Sequence, residues 1–384
     1  MTAADLQDTV LHSTMQKLPS LYGLRAVSIV IVILAHITRF SIPTNQDVML
    51  RIPIFNGQFG VTVFFLISGF LITSLLLQEE ERAGSISLKD FYIRRVLRIF
   101  PAYYFLLLVC FVLQLLGYLS ISSAAWITSL TYTKYLNPRA EFYTGHAWSL
   151  SIEENFYLFW PFILMLGDKI RKEATVYLIF VVPIVRLYVH FYPVEWINDL
   201  SIFTRIDSIA MGCFLALYKK ELLAKLKPHW NSFFYGSLIL LFLLPWLEYA
   251  STNTPLSLFF ILFGGVSGTI ASGLIAIILL YSVYGPRGNW YRMLNTKAFN
   301  YIGVLSYSLY LWQQLFVLKR PWWVTHFPQN IFMIFLTAMF SYYVIERPFL
   351  RLKSKFSGKK RVLNAPTHPS PAPIPPQPTP LHHS

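Results

Sequence analysis

Ten apolar stretches, each near the ~20 residues that a bilayer core requires, alternate along the chain with short polar segments. They predict membrane-spanning helices over 24–41, 59–77, 99–118, 148–166, 175–192, 201–218, 231–249, 256–281, 300–318 and 327–345. The fold class expected is therefore an all-α, polytopic integral membrane protein of about ten transmembrane helices. Basic residues collect in the loops after the second, fourth, sixth and eighth spans: Arg82 to Arg98, Lys169 to Lys172, Lys219 to Lys227 and Arg287 to Lys297. Lys and Arg are enriched in cytoplasmic loops, so both termini are expected in the cytoplasm.

Composition narrows the class further. With 55% hydrophobic, 17% aromatic and 13% charged residues, the chain departs strongly from a soluble globular domain. The net charge of +14 calls for no nucleic acid, because the basic residues are spread over the loops and the segment RLKSKFSGKKR, where they set topology and meet anionic lipid head groups. Residues 1–18 read as a cytoplasmic N-terminal segment without the features of a cleaved signal, 19–350 as the membrane domain, and 351–384 as a basic, then Pro-rich, disordered tail. Cys110 and Cys213 fall inside predicted helices, which points to neither a disulfide framework nor a metal site. No phosphate-binding glycine loop, dinucleotide fingerprint or serine nucleophile elbow is visible.

Chemistry must then come from polar residues inside the membrane, which by default mark a site. Arg25 and His36 lie eleven residues apart in the first span. That spacing is close to three helical turns, so one helix face carries both, roughly 16 Å apart at ~1.5 Å per residue. Arg95 and Arg98 are one turn apart on the approach to the third span, with Arg94 beside them; they read either as a snorkelling positive-inside stop or as a phosphate-capturing pair. His146, Glu153 and Glu154 enter the fourth span, where at least one carboxylate is expected to face the bundle interior and His146 reads more simply as an interfacial residue. Arg205 and Asp207, in the sixth span, face different directions, so each needs a partner on another helix, as a structural clasp or in acceptor binding. Glu346 at the end of the tenth span is placed to pair with the arginines of the third.

These residues, in order, resemble the membrane acyltransferase family 3, which includes polysaccharide O-acetyltransferases. The resemblance runs from about Pro19 to Leu350 and rests on Arg25 with His36, FFLISGFLIT, the pair Arg95 and Arg98, WSLSIEENFY around Glu153, RIDSIAMG around Arg205 and Asp207, SYSLYLWQ and the terminal ERPF. It implies O-acylation, usually O-acetylation, from acyl-CoA (acetyl-CoA in most relatives) to a hydroxyl of a carbohydrate or lipid-linked glycan acceptor, without a permanently bound cofactor, in the bacterial inner membrane. His36 is the implied catalytic base, with Glu153 orienting it. Arg25, Arg95 and Arg98 are the implied donor site, and Arg205 with Asp207 the implied acceptor site. Two departures are visible: Gln313 stands where relatives often have histidine, and a Pro-rich tail follows the tenth span where some relatives carry an esterase-like domain, which leaves room for a separate downstream transferase. Two other classes account for intramembrane charge, a secondary transporter and a non-catalytic scaffold or sensor; the first usually shows matching half-repeats, which are not visible here.

Overall fold

The computed structural model describes residues 18–41, 52–137, 141–194, 197, 200–252, 257–318 and 322–353. The expected N-terminal segment and Pro-rich tail lie outside these residues. All regular structure among the described residues is helical. In chain order the helices are α1 Leu21–Phe40, α2 Gly57–Ala83, α3 Leu88–Leu115, α4 Ser123–Leu130, α5 Ala147–Met165, α6 Asp168–Phe191, α7 Ile202–Leu217, α8 Lys219–Leu226, α9 Trp230–Thr252, α10 Ser257–Tyr284, α11 Asn289–Leu294, α12 Lys297–Trp312, α13 Gln314–Val317, α14 Gln329–Phe340 and α15 Arg347–Lys353.

Seven stretches among the described residues are long and apolar enough to cross a membrane: α1, α2, α3, α6, Lys219–Leu247, Leu262–Tyr284 and Gln329–Leu352. The other three expected spans coincide with α5, α7 and α12. Two of these have only 16 residues, and all three turn much of their surface to neighbouring helices. An inner helix faces protein on most sides, so it tolerates polar residues that a lipid-facing helix cannot carry.

Helices α1 and α2 form the spine. Each contributes to two apolar clusters: Ile29 and Phe65 pack with Tyr103, Trp160 and Leu309, whereas Leu21 and Phe70 pack with Leu279 and Leu294. Lipid tails are as apolar as leucine, so close van der Waals packing rather than water exclusion must hold such helices together. Glycines supply it. A Cβ on Gly69 would lie 2.0 Å from the Ile209 carbonyl oxygen, and one on Gly212 would lie 2.2 Å from that of Leu66. Backbone thus meets backbone across α2 and α7, which accounts for the glycines of FFLISGFLIT and RIDSIAMG.

Gly303 does the same for α12, where a Cβ would fall 2.0 Å from the Tyr22 carbonyl oxygen. The two helices run parallel, joined by polar contacts from end to end. Asn295 Oδ1 accepts from the Ser20 amide at 3.0 Å, Arg25 Nε donates to Ser306 Oγ at 3.0 Å, His36 meets Gln313, and Ser41 Oγ donates to the Val317 carbonyl at 2.6 Å. Both chemically informative residues of α1 therefore face one partner helix, as their spacing predicts.

Between α14 and α15 the chain makes a π turn over Ser341–Glu346. Pro348 has no N–H to give to the carbonyl four residues back, and its ring crowds that group. The wider turn accommodates the proline and brings Glu346 into the interior, where it is buried.

Candidate active site

At one end of the bundle, four segments converge on a cluster of like and unlike charges. Arg25 comes from α1, Arg95 and Arg98 from α3, Glu153 and Glu154 from α5, and Glu346 from the π turn. Arg25 lies within electrostatic reach of Arg98 and Glu153, Glu154 within that of Arg95 and Arg98, and Glu346 within that of Arg98 and Arg25. Hydroxyls complete the lining. Tyr157 donates to Glu153 Oε2 at 3.3 Å, Ser68 is also bonded to that carboxylate, and Ser308 donates to Glu346. The Tyr307 hydroxyl donates to the Ile99 carbonyl at 2.8 Å and seats α12 beside Arg98.

Among the described residues, none of these three arginines closes a salt bridge with a glutamate. Arg95 is held by aromatic faces instead, 4.5 Å from the Tyr157 ring centroid and 5.7 Å from that of Phe91, an attraction that leaves its N–H groups open. Arg94 differs. It pairs with Glu79 at 2.7 Å, so the third cation expected beside Arg95 and Arg98 is occupied in tying α3 to α2.

Farther along α1 lies the second half of the site. His36 Nδ1 is 3.2 Å from Gln313 Oε1, and its ring stacks on Phe40 with centroids 6.2 Å apart. His146, at the start of α5, is only 4% exposed and lies within electrostatic reach of His36. Its ring meets Tyr310 edge-on at 5.4 Å, and the Tyr310 hydroxyl, 2.6 Å from Ser149 Oγ, donates to the His146 carbonyl at 2.8 Å. The interfacial reading of His146 is thereby corrected: the ring is buried inside the protein, against Tyr310 of α12. Neither ring nitrogen makes a hydrogen bond of good geometry, although the Leu311 carbonyl faces the ring. Nearby, Lys134 is fully buried 3.6 Å from Glu141. Burial pulls its ammonium below the ordinary value, against the attraction of Glu141.

Glu153 sits elsewhere than its expected role requires. It is seven residues beyond His146 on α5, about 10 Å at ~1.5 Å per residue, and its neighbours are Arg25, Arg95, Ser68 and Tyr157. The group on His36 is Gln313, a residue that only the helix packing reveals.

Asp207 forms a separate constellation. Arg186 Nη2 donates to both of its carboxylate oxygens at 2.7 Å, Thr269 Oγ1 donates to Oδ2 at 2.5 Å, and Arg186 Nε donates to the Thr204 carbonyl at 2.8 Å. A buried charge is tolerated when paired and hydrogen-bonded, and this pair ties α6, α7 and α10 together. Arg205 lies half-buried on α7, two residues away and facing another direction. Arg186 itself was readable as a cation inside the fifth span, yet no local spacing links it to Asp207. Among the described residues, no three His, Cys, Asp or Glu side chains are placed to hold a metal ion.

A family model described as an acyltransferase domain matches residues 18–346, which takes in every helix that contributes to these two constellations. The chain belongs to acyltransferase family 3. Within that family it is 28% identical over 373 residues to O-acetyltransferase OatA of Staphylococcus aureus strain NCTC 8325, an alignment covering 86% of this chain and 57% of OatA. A protein of S. aureus strain COL, provisionally named as an O-acetyltransferase, is 29% identical over 326 residues, covering 78% of this chain and 51% of its own length. The chain thus spans about half the length of these relatives. No solved structure matches it.

Proposed function

We propose that this protein is a membrane-bound O-acyltransferase that moves an acyl group, acetyl in the first instance, from cytosolic acyl-CoA to a hydroxyl of a carbohydrate or lipid-linked glycan of the bacterial cell envelope. The observation that carries the reading is the set of three arginines held together without closed ion pairs, on the same helix system that holds His36 three turns away. Guanidiniums bind phosphate oxygens in pairs, and coenzyme A carries the phosphates. Glu153, Glu154 and Glu346 lie among the guanidiniums and position them, with Glu153 serving the donor end. Arg205 and Asp207 are assigned to the acceptor's approach, Asp207 through the wall that it builds with Arg186.

In this mechanism His36 removes the proton of the acceptor hydroxyl as its oxygen attacks the thioester carbonyl. The C–O bond forms, the C–S bond breaks, and the imidazolium returns the proton to the departing thiolate. An imidazole suits both steps because it exchanges protons near neutrality. The basic loops support an orientation with the arginine end on the cytoplasmic side of the inner membrane and His36 toward the acceptor side, and a separate downstream transferase is a second recipient open to the acyl group.

The test is coenzyme A release from acetyl-CoA by purified protein, with envelope polysaccharide extract as acceptor, for wild type and for His36→Ala of the same melting temperature. Turnover is expected to fall by about 10²-fold or more in the variant, the usual size of a general-base contribution. Equal turnover in both would remove His36 from the chemistry.

A further inference from the structure

We propose that Gln313 is a positioning residue that holds the single proton of the His36 ring on Nδ1 and leaves Nε2 as the basic nitrogen. The proposal deepens the acyltransferase reading and rests on it for what Nε2 does next, but not for where the proton sits. A neutral imidazole has one N–H and one lone pair, and which nitrogen carries which is set by the partner that the other meets. The amide oxygen of Gln313 can only accept, so at 3.2 Å it requires the facing Nδ1 to donate.

A second group on the ring agrees. The Val32 carbonyl, one turn back on α1, also bonds the His36 ring. Nδ1 is the ring nitrogen nearer the main chain and hence the one able to reach a carbonyl of its own helix. The opposite amide orientation would set the NH₂ group against Nδ1 and demand a lone pair there, which the Val32 carbonyl opposes.

Gln313 is also built to stay in place. It is 0% exposed and sits at the break between α12 and α13. Its main-chain N–H donates to the Leu309 carbonyl at 3.1 Å, and its main-chain carbonyl accepts from the Phe316 and Val317 N–H groups at 3.0 and 3.2 Å. The side-chain Nε2 is buried without a hydrogen-bond partner, so His36 is the group that engages the carboxamide. Phe40 stacked on the imidazole restricts the ring from the other side. An uncharged acceptor has a further consequence: a carboxylate at this point would favour imidazolium, whereas a carboxamide orients the ring and leaves it neutral. In the serine-protease triad, loss of the group that fixes the histidine tautomer lowers turnover by about 10⁴-fold.

The experiment is solid-state NMR of the full chain, labelled with [¹⁵N]histidine, in lipid bilayers at neutral pH, with the His36 signals assigned by their loss in His36→Asn. Wild type is expected to show one His36 species, protonated at Nδ1 and bare at Nε2. Gln313→Leu is expected to give a mixture of tautomers, and Gln313→Glu, whose carboxylate also accepts from Nδ1, to keep Nδ1 protonated while shifting the ring toward imidazolium. Unchanged His190 and His229 signals report that the variants fold, and Gln313→Asn, one methylene shorter, replaces Gln313→Leu if they change. An Nε2-protonated wild type, or a tautomer unaffected by removal of the Gln313 oxygen, overturns the proposal. Coenzyme A release measured in parallel separates the two readings: the expected tautomer in a protein that never releases coenzyme A keeps Gln313's role and removes the acyltransferase one.

Discussion

Arg95 and Arg98 owe their interest to what they lack. A guanidinium inside a membrane bundle normally finds a carboxylate, as Arg94 and Arg186 do here at 2.7 Å; Arg95 has two aromatic faces, and Arg98 has carboxylates only at a distance. Binding of coenzyme A to the purified protein, followed by calorimetry, is therefore expected to weaken by about tenfold or more in Arg98→Ala, equivalent to ~1.4 kcal/mol. Arg98→Lys is expected to recover less than half of that free energy, because an ammonium cannot reproduce a two-point contact to phosphate. Affinity equal to wild type in both variants would assign Arg98 to snorkelling alone. At this scale, the residues legible in advance were those whose partner is set by their own helix. The spacing of Arg25 and His36 predicts a shared face, and both meet α12. The groups acting on them were hidden: Gln313 reads as a mere departure at a helix end, and His146 reads as interfacial because its Tyr310 contacts come from α12, 164 residues away in sequence.

The helices themselves were legible as ten apolar runs, and their contacts were not. Residue Asp207 shows why. Its requirement for an opposite charge follows from cost alone, but Arg186 stands 21 residues earlier on a different helix, and only the close approach of α6, α7 and α10 selects it. If the pair is a clasp, removal of one partner must strand a buried charge, at about 3–5 kcal/mol. Asp207→Leu and Arg186→Met are each expected to lower the unfolding temperature in detergent markedly, and the double variant is expected to recover most of the loss. Additive losses in the double variant would show that the two residues do not act on each other. The π turn was equally invisible as a hydrophobic pattern, since a single proline in ERPF redirects Glu346 inward without disturbing the apolar run before it.

For the whole molecule, function depends on direction. The helices α1 and α12 run parallel, so the arginine cluster and His36 mark opposite ends of one shared axis. Cytosolic acyl-CoA can serve as donor only if the arginine end faces the cytoplasm, which is what the basic loops imply. Helix α3 tests this well. Its 28 residues span about 42 Å at ~1.5 Å per residue, with exposed Ser85 just before it on the arginine side and exposed Ser120 just after it on the other. Both native cysteines are buried, so single Ser85→Cys and Ser120→Cys variants report their own positions. In intact bacterial cells a membrane-impermeant maleimide is expected to label Ser120→Cys directly and Ser85→Cys only after permeabilisation. The reverse pattern would turn three arginines toward a compartment without acyl-CoA. The donor assignment of Arg25, Arg95 and Arg98 would then fall even with the fold, the family and the His36–Gln313 pair intact.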